Sequence, residues 1–178
     1  MPQSFSLKHA EMMLARTPGA VRWIVESLPR EWHGSNYGAG TFSIRDIVSH
    51  YVHNEHTDWI PRMTSVLGSD EPPTFDAFVV EDHVAWNEGK TVSELLDEFE
   101  TTRTRSLLTL EEWQLDEAAL ARVGIHPTLG EVTIRQLIAT WVIHDLHHVS
   151  QLCKCAARQW TDESGPFCDY IGILTRSV

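Results

Sequence analysis

Near the end of the chain, Leu137, Trp141, His144, His148, Gln151 and Cys155 recur at spacings of 4, 3, 4, 3 and 4. That is the stripe by which an amphipathic helix faces the interior of a bundle. The stripe starts apolar and then sets two imidazoles and an amide where leucines belong. A polar group at a core position costs free energy unless it is paired or coordinated. The pattern therefore demands a helical packing in which these seam positions meet a partner, and it makes His144 and His148 the first candidates for binding one.

Histidines at i and i+4 lie about 40° apart around a helix, close enough to chelate one ion. A third imidazole has to come from another element. The second helical segment offers His50, His53 and His56. His50 continues the inward stripe of Ile44 and Ile47 and precedes Asn54 by one turn. His53 and His56 lie about 60° and 120° further round, so they are expected to flank the stripe or to face solvent. His147 sits off the His144–His148 line. Three neutral imidazoles leave a coordination position open, which suits zinc, nickel or ferrous iron and a water or substrate thiolate activated there. Cys155 shares the seam, but eleven residues place it about 16 Å from His144, too far for the same ion.

The 178 residues suffice for one domain spanning 1–178. Acidic residues outnumber basic ones 25 to 14, for a net charge of −11, and Arg103 and Arg105, the densest basic pair, stand among glutamates. That balance argues against nucleic acid as a partner. No apolar run approaches the roughly 18 residues of a membrane span, and the opening residues lack the basic-then-apolar order of a secretion signal. Three cysteines, Cys153, Cys155 and Cys168, are an odd number, which points to a reducing cytoplasm rather than a disulfide framework.

Four long helices are predicted. The first covers about Leu7 to Leu28, with a break at Thr17-Pro18. The second is capped by Ser43, with Asp46 in its first turn, and runs to about Leu67. A crossover from Gly68 to Lys90 follows, long enough for the next helix to lie parallel to its predecessor. Thr91-Val92-Ser93-Glu94 is a capping box opening the third helix, to about Trp113, and Thr133-Ile134-Arg135-Gln136 another, opening the fourth, to about Arg158. Gln114 to Glu131 reads as irregular, and the tail from Gln159 as a short helix or strand. The starts of the second and fourth helices echo each other, Phe42-Ser43-Ile44-Arg45-Asp46-Ile47 against Val132-Thr133-Ile134-Arg135-Gln136-Leu137.

His144-Asp145-Leu146-His147-His148-Val149-Ser150-Gln151 resembles the His-Asp-Leu-His-His-x-x-Gln motif of one branch of the DinB-like superfamily. Ser43-Ile44-Arg45-Asp46 followed by His50 and Glu55, then Trp59 and Arg62, is similar to the family's earlier landmark, and Thr133-Ile134-Arg135 continues the likeness. The resemblance runs from about Leu7 to Ala157. It implies an all-α, up-down-down-up four-helix bundle with the long crossover between helices 2 and 3. It also implies a divalent metal on His50, His144 and His148, and a homodimer. Related families include thiol transferases using bacillithiol or mycothiol and a mycothiol-dependent maleylpyruvate isomerase.

The expectation is thus a metal-dependent enzyme acting on a small molecule, of low-molecular-weight thiol S-transferase type. The alternatives are a metal-dependent hydrolase and a non-catalytic metal- or ligand-binding bundle. No catalytic side chain is assigned beyond whatever the ion activates. Glu55 and Asp145 are expected to hydrogen-bond the ligand imidazoles, His147 and Gln151 to line the pocket or hold water, and Trp59, Arg62 and Trp141 to shape its mouth.

Overall fold

The computed structural model describes residues 4–77, 79 and 81–175. Its frame is four long helices: α1 (Leu7–Glu26), α2 (Ile44–Thr57), α5 (Val92–Glu112) and α7 (Ile134–Arg158). Helices α1 and α2, consecutive in the chain, sit on one diagonal of the bundle. Each packs mainly against α5 and α7, which occupy the other. This is the up-down-down-up arrangement, and α2 and α5 run parallel because the crossover returns the chain to the same end of the bundle.

The caps form where the sequence places them. Ser43 Oγ accepts from the Asp46 amide at 3.1 Å while Asp46 Oδ2 accepts from the Ser43 amide at 3.0 Å. Thr91 with Glu94 and Thr133 with Gln136 form the same reciprocal pair. Each box satisfies backbone donors that the first helical turn leaves open.

Four expectations need correction. First, α1 runs unbroken through Pro18. Proline removes the bond to the carbonyl four residues back, and here the Leu14 carbonyl accepts from Arg103 Nη1 at 2.9 Å instead. Second, the second helix stops at Thr57 and α3 (Trp59–Leu67) starts afresh after Asp58, whose φ of −112° and ψ of −75° stay in the right-handed region but stray from ideal helical values. Pro61 explains the break: it falls in the first turn of α3, where a missing N–H costs nothing.

Third, the crossover, expected only as a long connection, contains regular structure. It carries the short helix α4 (Asp82–Trp86), docked on α2. Ser49 Oγ donates to the His83 carbonyl at 2.7 Å, and Asn87 Nδ2 donates to the Ser49 carbonyl at 3.0 Å. Fourth, the connection after α5 contains α6 (Glu117–Leu120) and a hairpin of β1 (Val123–His126) and β2 (Gly130–Thr133), paired Val123 to Thr133 through His126 to Gly130. Gly130 turns the hairpin with a φ of 78°. Gly124 lets the strand approach Phe75 and Val66 so closely that a β-carbon there would stand 2.3 Å from the Phe75 ring. Four residues per strand are too few to show much period-2 patterning, so the hairpin left little trace in the sequence. The tail forms α8 (Thr161–Ser164), a 3-10 turn and α9 (Gly172–Thr175).

The apolar interior falls into two halves. One gathers Val21, Val25, Ile47, Val52, Leu95, Phe99 and Leu152; the other gathers Leu14, Trp59, Met63, Leu110, Ile138 and Trp141. Between them lies a polar layer contributed by His50, Asn54 and Glu55 on α2, Arg103 and Ser106 on α5, and Asp145 and His148 on α7. The predicted ligands His50 and His148, with Glu55 and Asp145, sit in that layer.

Candidate metal centre

His50 reaches the layer from α2, and His144 and His148 reach it from successive turns of α7. His50 Nε2 and His148 Nε2 each lie 3.1 Å from His144 Nε2. The three ligand atoms all fall within 4.8 Å of one another. His50 and His148 are buried, whereas the His144 side chain keeps 19% of its surface exposed. The cluster thus opens to solvent on the His144 side.

The protonation states follow from the neighbours. Burial, followed by the nearby imidazoles, lowers His50 to about 2 and His148 to about 3. Both rings are therefore neutral at physiological pH. Gln151 fixes the tautomer of one of them. Its Nε2 donates to the Tyr37 hydroxyl at 3.2 Å, which turns Oε1 toward His148 Nδ1 at 2.7 Å. His148 Nδ1 therefore carries the proton, and Nε2 presents a lone pair to the centre of the cluster. One proton on His144 Nε2 can bridge to only one of its two neighbours. The remaining approach of lone pair to lone pair is repulsive, and a cation among the three nitrogens relieves it. The donor set fits a divalent ion held by imidazole, with room for a further ligand.

Aromatic rings wall the cluster. Trp59 lies edge-on to His144 with centroids 5.2 Å apart and stacks on Trp141 at 5.8 Å. Phe42 stands 5.4 Å from His50 and 5.1 Å from His83, the latter a buried residue of α4. His53 is buried rather than exposed, packed 5.5 Å from Trp86 of α4, because α4 covers that face of α2. His56 meets Glu98 at 3.1 Å, and His147 is exposed with its ring 5.1 Å from that of His148.

Glu55 and Asp145 do something other than hold imidazoles. Both converge on Arg103, whose side chain is 2% exposed. Arg103 Nε and Nη2 face Glu55 Oε1 at 2.9 and 2.8 Å. Nη1 and Nη2 grip Asp145 Oδ2 and Oδ1 at 2.6 and 3.0 Å, and Nη1 also reaches the Leu14 carbonyl. All five guanidinium N–H groups are thereby satisfied. Glu55 additionally accepts from Trp141 Nε1 at 3.2 Å and from Ser106 Oγ at 2.8 Å. Burial alone would raise the Asp145 carboxyl, but Arg103 more than reverses this and holds it below its ordinary value. Asp145 Oδ1 stands 4.0 Å from His144 Nδ1, so it biases that ring by charge. The sequence showed Arg103 only as one of two basic residues among acids; helical phase turns it inward and leaves Arg105 outside.

Asp58 was not singled out by the sequence. Burial raises its carboxyl, against the opposing charges of Arg62 and His144, and Arg62 Nε lies 2.6 Å away. Arg62 also covers the Phe75 ring at 5.3 Å.

Together these features define a class: a four-helix bundle with a solvent-facing three-histidine cluster suited to a divalent cation. The sequence matches the DinB superfamily over residues 13–152, and the chain belongs to that superfamily. No curated protein matches it. Among solved structures the fold is similar to YfiT from Bacillus subtilis, described as a probable metal-dependent hydrolase with an unusual four-helix bundle topology. The TM-score is 0.74 at 21% identity, over 89% of this chain and 93% of that one. Among the described residues, no helix is long and apolar enough to cross a membrane.

Proposed function

We propose that this protein is a metal-dependent enzyme acting on a small molecule, with His50, His144 and His148 as its metal ligands. The observation that carries the reading is the convergence of three imidazoles, with the Nε2 atoms of His50 and His148 each 3.1 Å from that of His144, at a point open toward solvent beside His144. A structural ion is closed off from solvent by its protein ligands; a coordination position that solvent can reach marks a catalytic type of site. Zinc, nickel or ferrous iron bound there supplies a Lewis acid that lowers the pKa of a bound nucleophile.

The protein's own groups supply the rest. Gln151 holds His148 in the tautomer that donates its Nε2 lone pair. Trp59 and Phe42 exclude water from the flanks and leave access past His144. Asp58, which precedes α3 and has a raised carboxyl, and its ion-pair partner Arg62 on α3 are placed near His144 to serve as a proton acceptor and an anion-binding group for a small polar substrate.

The nucleophile is proposed to be a low-molecular-weight thiol, making the reaction an S-transfer. YfiT's description as a probable metal-dependent hydrolase favours a second reading, in which water takes that place. The assay is direct. Protein loaded with zinc, nickel or ferrous iron is presented with a thiol and an electrophilic acceptor, and separately with ester and amide substrates. Metal-dependent thiol conjugation is expected. Hydrolysis without conjugation would select the second reading. Stoichiometric metal with both reactions flat would leave a non-catalytic binding bundle, and metal-free protein from every loading would refute the ligand assignment. A cytoplasmic homodimer without nucleic-acid partners completes the proposal.

A further inference from the structure

A fourth polar side chain points at the centre of the histidine cluster. Asn54 lies one turn beyond His50 on α2 and is only 2% exposed. Its side-chain amide terminus stands 3.1 Å from His50 Nε2 and 2.9 Å from His144 Nε2. Those separations are close to the 3.1 Å that His144 Nε2 keeps from each of its two imidazole neighbours. Donor atoms about 2.0–2.1 Å from one tetrahedral ion stand about 3.3 Å apart, so the amide terminus occupies a ligand's place relative to two of the three histidines.

The amide sits with its nitrogen inward, and its oxygen, Oδ1, is buried without a hydrogen-bond partner. That orientation suits a cluster without an ion, in which an N–H can donate to whichever imidazole nitrogen carries a lone pair. It leaves an acceptor unsatisfied, at a cost of about 1–3 kcal/mol. Once an ion takes up the imidazole lone pairs, an inward NH2 has nothing to donate to and faces a positive charge. A half-turn about the last side-chain bond exchanges nitrogen for oxygen without moving the backbone. It directs the oxygen at the cation and removes the unpaired buried acceptor.

We propose that Asn54 is the fourth protein ligand of this centre, presenting Oδ1 to the bound divalent ion and reversing its amide when the ion leaves. The proposal rests on the three-histidine reading of the site. It makes the donor set three nitrogens and one hard oxygen, which disfavours soft monovalent copper and favours borderline divalent ions. It also leaves the substrate a further coordination position on the His144 side.

The test is Co2+ titration of the full chain, read by visible absorption and by competition with a chromogenic chelator, for the native protein, Asn54→Ala and Asn54→Asp. Native protein is expected to bind one Co2+. Asn54→Ala is expected to bind it 10- to 100-fold more weakly with an altered d–d spectrum, and Asn54→Asp, which keeps an oxygen at that place, to recover native affinity to within tenfold. Circular dichroism verifies that each variant is folded. If Asn54→Ala matches the native affinity and spectrum, the proposal is overturned while the histidine site stands. Weakened binding with an unchanged spectrum and no recovery in Asn54→Asp would reduce Asn54 to a packing role and also overturn it. Failure of the native protein to bind Co2+ would remove the three-histidine reading itself.

Discussion

Replacing Arg103 by methionine removes the charge at the middle of the polar layer while keeping most of the side chain's volume. Three partners then lose their hydrogen bonds together: Glu55, Asp145 and the Leu14 carbonyl, which Pro18 already deprives of its helical donor. Both carboxylate side chains are at most 2% exposed, so water does not replace the guanidinium. Breaking a buried ion pair from one side costs about 3–5 kcal/mol, and an orphaned carbonyl about 1–3 more. The expected loss is about 4–8 kcal/mol, comparable with the whole stability of an ordinary domain. Urea denaturation of metal-free protein at pH 8 measures it, with Arg103→Lys as the milder variant if Arg103→Met does not fold. The loss should shrink on acidification, because carboxyls without a counter-charge take up protons. It should also shrink when Glu55→Gln and Asp145→Asn are added, since three well-packed neutral groups are cheaper than two buried unpaired charges. A loss below about 1 kcal/mol, or one that is additive across the three substitutions, would refute the account.

Further tests address other parts of the molecule. The folded values of His50 and His148 lie well below the 6.5 of an unperturbed histidine. Below pH 6.5 the unfolded chain therefore binds protons that the folded one rejects, and stability falls as pH drops. For two groups the loss from pH 8 to pH 5.5 is about 3 kcal/mol, measurable as a shift in the urea midpoint of metal-free protein; a flat profile would contradict the buried neutral rings. Gln151→Leu releases the His148 tautomer and should weaken Zn2+ binding about 10- to 100-fold without loss of helicity; unchanged affinity would show that the ring needs no partner. Gly124→Ala drives a methyl into Phe75 and Val66, a cost of about 1–3 kcal/mol by thermal denaturation. A native-like midpoint would mean that the hairpin yields freely.

The helices and their capping boxes were legible because each is a local pattern: Ser43 with Asp46, Thr91 with Glu94 and Thr133 with Gln136 all pair within three residues. The stripe from Leu137 to Cys155 named His144 and His148 by periodicity, and the same argument on α2 preferred His50. What escaped were relations between helices. Helical phase sets Arg103, unlike Arg105, on the stripe of Phe99 and Leu110, but an arginine among acids gave no sign of being interior; packing against α1, α2 and α7 shows what it meets there. The same long-range term bears on Pro18, since the donor that satisfies the Leu14 carbonyl comes from α5, 89 residues away. Glu55 and Asp145 were sensed as important but matched to imidazoles, because a cation on a third helix was out of sight. Asn54 lay on the stripe and signalled only a polar seam position. Its nearness to two imidazole nitrogens, one of them on another helix, is a fact of the fold.

The guanidinium also bears on how the ligand helices are oriented about their own axes. A helix attached to the bundle at one azimuth can roll, and a roll of 20° or so would swing an imidazole nitrogen out of reach of its ion. On α2, Glu55 lies about 140° around from His50, and on α7, Asp145 lies about 100° from His144. Each ligand helix is thus gripped at two azimuths, once by Arg103 and once through its histidines, and only the second grip depends on metal. The rotational phase of α2 and α7 is set before any ion arrives. Exchange of one metal for another then requires no turning of the scaffold, and the histidines can be altered without letting the helices drift.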